Sequence, residues 1–128
     1  MRLARLQAFA LSLPHTTVVK QWGDCLVHKV AGKMFVILVL DGGTVDGVIF
    51  KCTPGGFDEL TAIDGIIQAP YCAKRMWAKV ADLAALSEAE LNARIRRSYD
   101  LVAAGLPKKT QKALGFLPGQ APSRRASG

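Results

Sequence analysis

The stretch Cys25-Leu26-Val27-His28-Lys29-Val30-Ala31-Gly32-Lys33-Met34-Phe35-Val36-Ile37-Leu38-Val39-Leu40-Asp41-Gly42-Gly43 decides the fold. Residues 25–31 alternate as a half-buried strand does, with Leu26, His28 and Val30 on one face and Val27 and Lys29 on the other. Gly32-Lys33 has the two-residue length of a tight hairpin. Residues 34–40 are apolar on both faces, which predicts a central strand covered on both sides. Asp41-Gly42-Gly43 is a second hairpin signal, and residues 45–51 make the next strand. An antiparallel meander follows.

Upstream, Leu3, Leu6, Ala10 and Leu13 recur at helical spacing, so the chain opens with an amphipathic helix that ends before Pro14. Residues 17–22 are β-branched and read as a short strand or an extended lead-in. Downstream, Thr53-Pro54 starts a helix, with Thr as cap, Pro at the first position, and Asp58 and Glu59 near its positive end. Gly55-Gly56 weakens its first turn. Residues 66–69 read as a short strand. From Lys74 to Val80 a further strand puts Arg75, Trp77 and Lys79 on one face and Met76, Ala78 and Val80 on the other. Ser87-Glu88-Ala89-Glu90 is a capping box. Leu91, Ile95, Tyr99 and Val102 form the apolar stripe of the helix it starts, with Arg94, Arg96 and Arg97 turned to solvent. Gly105 and Pro107 stop this helix.

The order α-β-β-β-α-β-β-α predicts an α+β two-layer sandwich, an antiparallel sheet of about five strands with the helices packed on one side. Residues 1–114 are expected to form one domain and residues 115–128, rich in Pro, Gly, Ser and Arg, a flexible basic tail.

Half of the 128 residues are hydrophobic, which suits a globular chain. The longest apolar run is far below the ~20 residues of a membrane span. Arg2 and Arg5 followed by apolar residues imitate a secretory signal, but Gln7 and Ser12 interrupt the run and no small-residue cleavage site follows. A cytoplasmic protein is expected. Cys25, Cys52 and Cys72 are odd in number with no CxxC pair, so buried thiols are expected rather than disulfides or zinc. The net charge of +7 is uneven, +2 over residues 1–85 and +5 over residues 86–128. That bias admits an anionic partner, nucleic acid first, although a solubilising basic face would give the same numbers.

No phosphate-binding loop, dinucleotide fingerprint, nucleophile elbow or HExxH motif is present. His15 and His28 lie far apart in sequence with no third triad member, and Cys72 has no identifiable base. No enzyme and no cofactor are expected. The basic-aromatic face is the remaining candidate. Trp77 between Arg75 and Lys79 is a stacking surface flanked by phosphate contacts, or else an indole capping the sheet with Lys and Arg stems packed across it. Lys29, Lys33 and Lys51 sit on or beside neighbouring strands; Lys108, Lys109 and Lys112 widen the patch only if the C-terminal turn folds back over the sheet.

Several stretches together resemble the MmcQ/YjbR family of small bacterial proteins. They are Leu13-Pro14, Trp22-Gly23, residues 29–35, Lys51-Cys52, Ala69-Pro70-Tyr71 through Lys74-Arg75 to Trp77, residues 98–102, and Leu106-Pro107-Lys108-Lys109. The resemblance implies a compact α+β fold of the CyaY-like or type III secretion chaperone-like kind and a predicted "double wing" DNA-binding role. Many members have Asn-Lys-Arg-His-Trp where this chain has Ala73-Lys74-Arg75-Met76-Trp77, and Gly55-Gly56 also departs from the helix-favouring residues usual there.

The reading is a non-enzymatic nucleic-acid-binding domain. Lys29, Lys33, Lys51, Lys74, Arg75 and Lys79 would contact phosphates, Trp77 would stack, and Lys108 and Lys109 would contribute. The alternatives are a protein-interaction module docking a peptide or a second copy on the sheet, or a binder of a small anionic ligand near Tyr71, Lys74 and Arg75.

Overall fold

The computed structural model describes residues 2–21, 23–69 and 76–115. Helix α1 (Arg2–Ser12) leads into strands β1 (Thr16–Gln21), β2 (Cys25–Val30), β3 (Lys33–Asp41) and β4 (Thr44–Lys51). Helix α2 (Pro54–Thr61), strands β5 (Ile66–Gln68) and β6 (Trp77–Val80), a 3-10 turn (Leu83–Ala85) and helices α3 (Glu88–Ala104) and α4 (Lys108–Ala113) follow. The sheet is antiparallel, with strand order β1-β2-β3-β4-β6-β5.

The two hairpins have the geometry that short loops impose. Ala31-Gly32 is the first turn, one residue earlier than the expected Gly32-Lys33, and Val30 pairs with Lys33. Both turn residues have positive φ, Ala31 at 51° and Gly32 at 81°. That is the twist that matches right-handed strands. Gly42 and Gly43 repeat it between Asp41 and Thr44. The β-branched run expected at residues 17–22, of which Trp22 lies outside the described residues, is a strand in its own right: β1 pairs with β2 along its length and makes the sheet six-stranded. Strand β6 starts at Trp77 rather than Lys74. Met76 has φ 56° and is exposed, not on the apolar floor, and its carbonyl accepts the Cys52 N–H at 2.9 Å.

The helices cover one sheet face. Leu6 and Ala10 of α1 and Leu91, Ile95 and Tyr99 of α3 are fully buried against Val30, Val36, Leu38, Val48, Phe50, Ala78 and Val80. Central strand β3 contributes to both faces, as its doubly apolar pattern requires. The capping box of α3 is complete, Ser87 Oγ accepting the Glu90 N–H at 3.1 Å and Glu90 accepting the Ser87 N–H at 2.9 Å. Thr53 caps α2 as expected. The first turn of that helix contains no acidic side chain, because Asp58 and Glu59 fall one turn later. Its positive end is therefore uncompensated.

A register shift in β2 and β3 leaves Phe35 without a cross-strand partner. Its ring turns into the helix-side core, edge-on to Tyr99 at 5.2 Å and to His28 at 6.5 Å. Ser98 of α3 answers the displaced backbone: its hydroxyl donates to the Phe35 carbonyl at 2.6 Å and accepts the Lys51 N–H at 2.8 Å. Tyr99 donates to the Pro14 carbonyl and ties the same helix to the end of α1. No helix among the described residues is long and apolar enough to cross a membrane.

Candidate nucleic-acid interface

Strand pairing places Lys29, Lys51, Trp77 and Lys79 on the sheet face that the helices leave, whereas Lys33 pairs with Val30 of the helix-side core. Lys29 pairs with Met34, Lys51 with Trp77, and Lys79 with both Ile49 and Ile67. Lys29 and Lys51 stand on β2 and β4, two strand spacings or about 10 Å apart. Lys33 is exposed where β3 starts, at the same end of the sheet. None of Lys29, Lys33, Lys51 and Lys79 makes an ion pair among the described residues.

Trp77 does not stand between cations as an open platform. It is 6% exposed, packed in a second apolar cluster with Val27, Ile37, Ile49 and Ala69. The register explains this. Val27, Ile37 and Ile49 come from three consecutive strands and form one row beside the indole. A base has no indole face to stack on. Lys79 lies along the sheet, since a Cβ at Gly47 would fall 2.8 Å from its Cε. This is the packed-stem arrangement, with an apolar stem along the sheet and a charged tip.

Lys74 and Arg75, along with Tyr71 and Cys72, lie outside the described residues, as does the expected tail from residue 116 onward. Ala69 and Met76 bracket the connection that carries Lys74 and Arg75, and both sit at the Lys29–Lys51 end, where Ala69 N–H bonds the Trp77 carbonyl at 2.9 Å. Lys108 and Lys109 are exposed but belong to the helix layer. Helix α4 is tied there by Gln111, which donates to the Leu106 carbonyl at 2.7 Å, and by His15 donating to the Leu114 carbonyl at 2.9 Å. The C-terminal turn thus does not fold back over the outer sheet face, and these lysines do not extend its patch.

Charge separates along the strand axis. Asp24, Asp41, Asp46, Asp64 and Asp82 all sit at or near the turns of the opposite end, where Lys20 is paired with Asp24 at 3.4 Å. Lys29, Lys33 and Lys51 hold the other end, where the strand residues include no acid; in the helix layer Glu59, Glu90 and Asp100 line a cleft that Lys51 also borders. Sequence reading missed this polarity because the five aspartates are scattered over 59 residues and gather only when strands alternate direction. Nor are the α3 arginines all turned out to solvent. Arg94 is half-buried beside the start of α2, whereas Arg97 is exposed. Among the described residues no three metal-ligating side chains converge.

A six-stranded antiparallel sheet with helices on one face defines a small α+β domain, polarised by its strand-end charges. The chain belongs to the YjbR family, whose model matches residues 11–101. A crystal structure of Deinococcus radiodurans protein DR2400, with the family-model domain DUF419, matches with a TM-score of 0.79, covering 94% of this chain and 92% of that one at 23% identity. At that identity the likeness shows a shared fold. No curated protein matches the chain.

Proposed function

We propose that this chain is a non-enzymatic nucleic-acid-binding domain that grips the phosphate backbone with the basic end of its sheet. The observation that carries this reading is the segregation of charge: unpaired Lys29, Lys33 and Lys51 at one end and five aspartates at the other. Such a field draws a polyanion to one pole and repels it from the opposite one, so it orients the encounter as well as holding the complex. With Trp77 sealed, binding is electrostatic and indifferent to base sequence.

Fluorescence anisotropy with duplex DNA over a series of salt concentrations tests this. The expected result is a linear fall of log affinity with log salt, with a slope that loses about 0.9 for each of Lys29, Lys33 and Lys51 replaced by Gln. Absence of binding at low salt, or a slope unmoved by the triple substitution, removes the reading.

A further inference from the structure

Cross-strand pairs line up into a single row over the outer face of the sheet. Val19 of β1 pairs with Val27, Val27 with Ile37, Ile37 with Ile49, Ile49 with Lys79, and Lys79 with Ile67 of β5. The middle of the row is closed, with Val27, Ile37 and Ile49 buried, but its two ends are not: Val19 is 44% exposed and Ile67 48%. Both ends stand on edge strands.

The two edges are built differently. Strand β5 has three residues, and a short strand is one way a protein blunts an edge. Strand β1 has six, without proline, and it pairs with β2 with no slip of register, whereas the β2–β3 and β3–β4 pairs each carry one. Thr16, Thr17, Val18 and Val19 are β-branched and suit a pleated strand. Its lone lysine, Lys20, is drawn to Asp24 at 3.4 Å, which offsets the charge that would guard the edge. Among the described residues no backbone group bonds the outer side of β1. Such an edge is a template for one more strand.

Symmetry and charge select a second β1. Antiparallel about a two-fold axis at Val19, each Val19 faces the other and Thr17 faces Gln21. That register keeps all three residues of both copies on the outer face and joins the two rows into one. Parallel pairing would turn the helix layers to opposite faces and set the two basic ends side by side. Antiparallel pairing reverses the ends. The Asp24 turn of each copy then comes to the His15–Thr16 corner of the other, where Lys112 of α4 is exposed two residues before the Leu114 carbonyl that His15 holds. Acidic and basic ends lie alongside each other, which is complementary. The chain beyond Gly115 starts at this same corner; to use the edge it would have to run parallel to β1, and Pro118 and Pro122 cannot donate to a ladder.

We propose that two copies of this chain associate through β1, edge to edge and antiparallel, into one continuous sheet with all helices on one face. The commonest symmetry of soluble oligomers is of this self-complementary kind. The association needs no nucleic acid and stands whether or not a polyanion binds.

Sedimentation velocity of the full chain over a concentration series, without nucleic acid, tests it. A concentration-dependent dimer is expected. Val19→Lys and Val19→Glu should each weaken it roughly tenfold or more, because like charges meet on the axis. Their equimolar mixture should recover it, because opposite charges then meet. Ile67→Lys, on the other edge, should dimerise as the parent does. Far-UV circular dichroism confirms that each variant is folded. If a Val19 variant unfolds, Thr17→Lys/Gln21→Lys and Thr17→Glu/Gln21→Glu give the same mixing test. A chain that stays monomeric up to about 1 mM overturns the proposal. So does a dimer untouched by Val19→Lys, a mixture that stays monomeric, or an equal loss in Ile67→Lys. Dimerisation only after removal of residues 116–128 also overturns it, since the chain's own end would then hold the edge.

Discussion

Ser98 Oγ lies 2.6 Å from the Phe35 carbonyl oxygen, 63 residues away in sequence, and joins the long helix to the point where the register of β2 and β3 slips. The same hydroxyl takes the Lys51 N–H, so two strands and a helix meet on one oxygen. Ser98→Ala leaves a buried carbonyl and an amide without partners. Losing both should cost about 2–3 kcal/mol, read as a lower urea midpoint with unchanged m-value.

His28 is fully buried, and neither ring nitrogen closes a hydrogen bond. Burial holds its pKa below the ordinary 6.5, only partly offset by the Leu26 backbone. The native state thus prefers the neutral ring more strongly than the unfolded chain does. The stability that follows is fully present above pH 6.5 and is lost as pH falls from there toward the depressed native value. Denaturation between pH 7.5 and 5 should show this decline, and His28→Leu should flatten it; an identical decline in the variant would assign the effect elsewhere.

Ala31 occupies a left-handed turn position, φ 51°, that glycine adopts without strain. Ala31→Gly should raise stability by about 1 kcal/mol, provided relief of strain exceeds the entropy that glycine adds to the unfolded chain. Thermal melts decide the sign. Destabilisation would mean that the turn holds alanine easily.

Trp77 and the lysines around it should separate cleanly. Trp77→Phe keeps an aromatic ring in the buried row beside Ile37 and Ile49 while shrinking it, so stability should fall by about 1–2 kcal/mol. Duplex affinity at fixed salt should not change, because the indole offers no open face. A large loss of affinity in a folded variant would restore the aromatic to the interface.

Read one residue at a time, the chain announces what depends on near neighbours. The stripe of Leu6, Ala10 and Leu13, the Ser87–Glu90 box, the Thr53 cap and the doubly apolar β3 all appear in the structure as their spacing predicts, because caps and periodicity involve contacts within a few residues. The alternation that puts Trp77 and Lys79 on one sheet face is local too. Whether that face is open is not. Trp77 is buried because strand order brings Val27, Ile37 and Ile49 beside it, residues from 28 to 50 positions away in sequence. The polar ends of the sheet and the meeting of Arg94 with the start of α2 have the same origin. Long-range strand pairing and helix docking, not any motif, set which side chains become neighbours, and so decided which of the cations gather at one end of the sheet.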